Sequence, residues 1–171
     1  MQDTFQFSKS YWTDENEYNP SGGETGFDQQ ETKLPTYWNT SFSKICLGMM
    51  FDKMLRFIVI NKQADSLYSL IADGEYHNTT LGRDMWKTLL GDHASLQRNC
   101  NMEGFNTECH DRKESARIGI VTNNEGNCHS CDSRLGFGTK GKINNTCGNV
   151  AKYHADNGDK DIKAMGYVLV Q

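Results

Sequence analysis

A chain of 171 residues is the size of one domain, long enough to bury a core of its own, yet only 36% of it is hydrophobic and its 16 glycines point to many turns. The formal charge of −4 arises from 18 basic and 22 acidic residues; the basic ones are scattered, so no cationic stripe is offered to a phosphate backbone and nucleic acid is excluded as a partner. The longest apolar stretch, residues 45–60, is broken by Asp52, Lys53 and Arg56 and falls short of the roughly 20 apolar residues that span a bilayer, which excludes membrane insertion.

Residues 11–35 are polar, contain glycine and hold no period of 2 or 3.6, so they read as a long loop. Trp12, Tyr18 and Phe27, with Tyr37 and Trp38 just beyond, carry enough apolar area to favour an ordered, packed loop over a disordered tail. Strands are expected over 44–50 and 55–60, joined into a hairpin by a polar turn at Asp52 and Lys53. Residues 65–73 place Leu67, Leu70 and Ile71 at helical spacing before Gly74. A second helix is expected over 80–90, with Leu81, Met85 and Leu89 on one face, Thr79 or Thr80 as its cap and Gly91 as its stop. After Gly91 the chain reads as loop except for strands at 117–121 and 164–170, the last buried. The expected fold class is α+β, a loop-rich single domain over residues 1–171 with a mainly antiparallel sheet and two short helices.

Cys46, Cys100, Cys109, Cys128, Cys131 and Cys147 are an even set lying mostly in turn-rich sequence, which favours three disulfides over buried thiols and leaves the pairing open. Sequons open at Asn39, Asn78 and Asn144. Such triplets also arise by chance, but beside the cysteines they agree with a secreted, extracellular protein. The opening MQDTFQF lacks the charged and apolar regions of a secretory leader, so a mature or truncated form is expected.

The stretch 118–132, IGIVTNNEGNCHSCD, runs a short strand into a loop of amides and acids. Asn123, Asn124, Glu125, Asn127 and Asp132 are the oxygen donors a hard cation such as calcium takes, although any polar turn uses the same residue types. Within it Cys128-His-Ser-Cys131 is a CxxC. A zinc site wants a second pair, and Cys109-His110 with Cys147 or His154 is irregular; a redox motif wants a helix after it, and none is patterned there. Disulfide cross-linking of loops is the better reading.

Gly136 to Gly141 spells GxGxxG without the strand before and helix after that dinucleotide binding needs, so a tight turn close to a neighbour is expected. Residues 156–161, DNGDKD, lack the EF-hand ligand pattern at Gly158 and Tyr167 but can lend carboxylates to a non-helical calcium site, or form a solvated turn. No GxSxG, HExxH or P-loop is present. His77, His93, His110, His129 and His154 lie mostly in polar loops, and the chain is expected not to be an enzyme.

Four segments, YWNTSFSKICLGM at 37–49, SLYSLIADG at 66–74, NCNMEGFN at 99–106 and CDSRLGFGT at 131–139, resemble a cnidarian family. These are secreted proteins of corals and sea anemones, skeletal-matrix proteins among them, with a fibrinogen C-terminal-like domain most similar to intelectins. The likeness covers residues 11–171 and extends to the short soft-coral antiviral proteins called cnidarins. It implies a calcium-dependent lectin that grips vicinal hydroxyls of a sugar. On this resemblance Asn123, Asn124, Glu125 and His129 are the calcium set, with Asn149 where the family has a carboxylate. Glu125, His129, Tyr153 and His154 are the carbohydrate-binding set, Tyr153 standing where the family has tryptophan. The family's opening hairpin is missing, which leaves Cys147 without its family partner, so that Cys46 or Cys109 substitutes or Cys147 is free. The glycine run before the family's ligand carboxylate is replaced by GFGTKG, with no acid at the expected place. The expected partners are glycans or glycoproteins, with repeated sites on a homo-oligomer supplying avidity. A structural matrix protein stabilised by disulfides, with calcium bracing loops and no glycan binding, is the alternative.

Overall fold

The computed structural model describes residues 4–171, arranged as two antiparallel sheets that share one buried cluster. In β1 (Phe42–Phe51) Ile45, Leu47 and Met49 are fully buried at every second position, the alternation that gives a strand one core face. It pairs with β2 (Met54–Ala64) through Asp52 and Lys53, both with positive φ (48° and 61°), the type I′ geometry that matches strand twist. The hairpin is therefore where it was expected, with longer strands. The closing strand, β9 (Met165–Val170), pairs on the other side of β1 and, expected to be buried, is only half-buried, with Leu169 exposed. On the outer face of this sheet the Phe57 ring occupies the space a Cβ at Gly48 would need, and Phe27 packs edge-on against Phe57 and Tyr167, at 5.6 and 5.1 Å.

Among the described residues three short α-helices accompany the sheets: α1 (Thr36–Asn39), α2 (Leu67–Ile71) and α3 (Arg83–Lys87). In α2, Leu67, Leu70 and Ile71 are buried as expected, behind a capping box of Ser66 and Ser69. The expected helix over 80–90 shortens to α3, and neither Thr79 nor Thr80 caps it. The Glu103 carboxylate instead accepts from Leu81 N (3.0 Å), Gly82 N (2.7 Å), Thr79 Oγ1 (2.7 Å) and Trp86 Nε1 (2.8 Å). The buried face is consequently Trp86, Leu89 and Leu90, while Met85 is exposed. No helix among the described residues is long and apolar enough to cross a membrane.

The region after Gly91, expected to be mostly loop, carries all but the first strand of a six-stranded sheet whose neighbours are consecutive in the chain: β3 (His77–Asn78), β4 (Asn99–Glu108), β5 (Ser115–Asn123), β6 (Ser133–Lys140), β7 (Cys147–Ala151) and β8 (Lys160–Lys163). Gly136 and Gly138 lie within β6, not in the tight turn expected of GxGxxG. Ile118, Ile120, Leu135 and Phe137 face the shared core, and the remaining residues of β5 are also buried.

Burial of both faces of β5 has a geometric cause. Gly104, Gly119, Gly136 and Gly148 are register partners across four successive strands. A Cβ at any of them would come within 3.0 Å of neighbouring backbone, and Gly104 and Gly148 adopt φ of 135° and 133°. Cys109 bonds through its N–H to Glu114 O at one end of β5, whereas Cys131 lies two residues before Ser133, the partner of Thr122 at the other end. A straight run of that length would separate them by about 26 Å, yet their Cα atoms are 5.9 Å apart. The sheet is therefore folded over along the glycine row, with Asn106 (φ 49°) and Gly138 (φ 60°) continuing the bend. Inside the fold lie the Cys109–Cys131 disulfide, Val121 and the buried Arg134–Glu114 ion pair, Arg134 also donating to Ile143 O (2.7 Å) and Asn145 O (3.2 Å).

Candidate functional site

The turn after β5 holds most of the residues marked by the sequence. Two disulfides brace it, Cys100–Cys128 and Cys109–Cys131, in place of the expected three; Cys46 and Cys147 are thiols. Both bridges join β4 and its following turn to the 124–132 loop, so that His110 N donates to Cys128 O (2.8 Å) and the exposed His110 and His129 rings meet edge to face at 4.7 Å. Asn124 and Glu125 are exposed, while Asn123 is fully buried. Its Nδ2 donates to Asn127 O (2.8 Å), and its Oδ1 is buried without a hydrogen-bond partner.

The orphaned Asn123 Oδ1 and the neighbouring Glu125 carboxylate are oxygens of the kind a hard cation takes, but six to eight are usual. Asn127 Oδ1 already accepts from His129 N (2.9 Å). Asn149 is sealed in the sheet: its Oδ1 accepts from Ser95 N (2.8 Å) and its Nδ2 donates to Ser95 O (2.8 Å) and Arg134 O (2.9 Å). Its amide thus clamps the 95 segment to β7 and has nothing left for a metal. No group of three or more His, Cys, Asp or Glu side chains able to hold a metal occurs among the described residues. Asp156 serves the fold too, accepting from Arg83 (2.7 Å), Lys87 (2.6 Å) and Leu96 N (3.1 Å). Burial alone would raise its pKa, but the hydrogen bonds from Lys87 and Leu96 and the charges of Lys87 and Arg83 outweigh it and hold the carboxyl below its ordinary value.

Tyr153 and His154 are the second part of the site. Both have left-handed backbones, with φ of 50° and 64°, a costly arrangement for residues with side chains. Gln97 fixes the turn by donating from Nε2 to Tyr153 O (2.9 Å), and its Oε1 accepts from Asp132 N (3.2 Å). The Tyr153 ring remains 60% exposed, with Lys142 Nζ 5.8 Å from its centroid; Lys142 also pairs with Asp132 Oδ1 at 2.9 Å. Asp132 ends the 124–132 loop, so this acid links the tyrosine to the loop that carries Glu125 and His129. Gln97, Asp132 and Lys142 were not marked as partners of Tyr153 by the sequence, because they meet only through the folded sheet.

Elsewhere a cavity of about 530 Å³ lies beneath the N-terminal segment, among Trp12, Tyr37, Phe137 and Cys147. Burial pushes the Cys147 thiol up to about 12, with the nearby Glu31 adding to the shift, so it stays protonated at neutral pH. Compared with protein-family models, with curated proteins and with solved structures, the chain matches none.

Proposed function

We propose that the chain is an extracellular, fibrinogen-like and intelectin-like domain that binds carbohydrate without changing it, at the disulfide-braced turns around Tyr153. The observation that carries this reading is the pair of left-handed residues Tyr153 and His154, which hold an exposed aromatic face outward beside a Lys142–Asp132 ion pair. Strained backbone of this kind concentrates at functional sites. An aromatic face takes the apolar side of a pyranose, and adjacent charged and imidazole groups take its hydroxyls. Glu125, His129 and His154 are the groups assigned to those hydroxyls. Calcium, held through Asn123 Oδ1 and Glu125, would supply a cation for a vicinal diol. Glycans or glycoproteins are the partners, avidity comes from a homo-oligomer, and an antiviral role would follow from gripping viral glycans.

A glycan array run with and without chelator tests this. Binding of diol-bearing sugars that falls at least tenfold in Tyr153→Ala supports the site, and loss of that binding on chelation assigns the calcium. An array blank for the folded protein with calcium present overturns the reading. The structural-matrix alternative rests on the exposed Phe57, Val59 and Leu169 of the three-stranded sheet, an apolar face suited to a protein partner.

A further inference from the structure

We propose that Asn39, Asn78 and Asn144 are acceptors of N-linked glycans. Each opens an Asn-x-Ser/Thr triplet, Asn39-Thr40-Ser41, Asn78-Thr79-Thr80 and Asn144-Asn145-Thr146, and all three asparagines are exposed. The other asparagines show that this is not a property of every asparagine in the chain. Asn106, Asn123, Asn145 and Asn149 are buried, and none of them opens such a triplet. At Asn19 the triplet is blocked, because Pro20 fills the middle position.

A glycan is bulky and strongly hydrated, so its asparagine must face solvent in the folded chain. The three sites meet that demand on different elements. Asn39 ends α1, Asn78 lies in β3 at the open edge of the six-stranded sheet, and Asn144 is in the turn joining β6 to β7. At Asn78 a glycan would also shield an unpaired strand edge, the kind of surface that otherwise recruits other chains. In the transfer the asparagine Nδ2 forms a bond to the anomeric carbon of an oligosaccharide carried on a lipid diphosphate. The lipid diphosphate departs with the electron pair of the broken carbon–oxygen bond, and the amide gives up one proton. The proposal rests on passage through a secretory compartment, with which the two disulfides are compatible.

The test expresses the full chain behind a secretory leader in eukaryotic cells and follows its mobility and mass in secreted and cell-retained material alike. Peptide N-glycosidase should remove three increments. Asn39→Gln, Asn78→Gln and Asn144→Gln should each remove one, and Ser41→Ala, Thr80→Ala and Thr146→Ala should remove the same ones while leaving the asparagines in place. A chain unmoved by the glycosidase overturns the proposal. An asparagine whose loss removes no increment overturns it at that site.

Discussion

Glu103 anchors the start of α3, and its replacement should cost more than any surface charge. Trp86 is fully buried, so its indole N–H, left without the carboxylate, has no water to turn to, a loss of about 1–3 kcal/mol. Thr79 Oγ1 and the N–H groups of Leu81 and Gly82 also lose a charged acceptor, and Glu103→Leu should lower stability by about 3–4 kcal/mol in all. With a urea slope of about 2 kcal/mol/M, the unfolding midpoint falls by roughly 1.5–2 M at unchanged slope. Glu103→Gln keeps one acceptor oxygen and should lose about half as much. In a Trp86→Phe background either change should cost about 1 kcal/mol less, the coupling of a contacting pair. The pH dependence follows from the carboxyl's lowered pKa. Burial alone would raise it, but hydrogen bonds from Thr79, Trp86 and the two backbone N–H groups outweigh that and hold it below 4.5. The carboxylate's contribution is thus fully present above 4.5 and is lost as pH falls through the lower folded value, so the gap between wild type and Glu103→Gln closes in acid. A midpoint shift under about 0.3 M for Glu103→Leu, or no coupling to Trp86, would refute the anchoring role.

Alkylation should label two cysteines, Cys46 and Cys147, in unreduced protein unfolded in urea and all six after reduction, counted by mass; any other number contradicts the pairing. In the native state at pH 8 Cys147 should resist maleimide, because burial keeps its thiol protonated. Replacing Cys109 and Cys131 together by alanine should cost about 3 kcal/mol in the same urea titration, given their separation of 22 residues. Gly136→Ala should cost about 1–3 kcal/mol or block folding, since its Cβ would press on Ile118 O and Gly119 Cα; a neutral result by calorimetry would contradict the close strand approach. Tyr153→Ala should leave the melting temperature within about 2 °C of wild type, as expected for a ring that packs on little else.

Where apolar residues dominated a segment, its pattern could be read: the β1–β2 hairpin, β5, β9 and the buried positions of α2 all stand out by their apolar content or spacing. β4, β6 and β7 were hidden by chemistry. NCNMEGFNTE, SRLGFGTK and CGNVA carry glycine and polar residues because their second faces turn inside a folded sheet, where Asn149, Thr139 and the Nη1 and Nη2 groups of Arg134 make hydrogen bonds in place of contact with water. The Gly-Phe-Gly run reads as a turn for the same reason, since only its distant partners Gly119 and Gly148 explain it. In the candidate site the polar turn at 123–129 stood out in sequence, whereas Tyr153 was reached only through the family resemblance. The commitment of Asn149 to Ser95 could not be seen there, because a long-range amide clamp leaves no local spacing behind.

The glycine crease has a consequence for how the gene can vary. Four codons spaced 12 to 17 residues apart answer to one geometric line, so a saturation library should show four intolerant columns, at 104, 119, 136 and 148. An insertion or deletion within a strand between two of these columns would slide one glycine out of line, and the hinge of the sheet would be lost although every residue type survived.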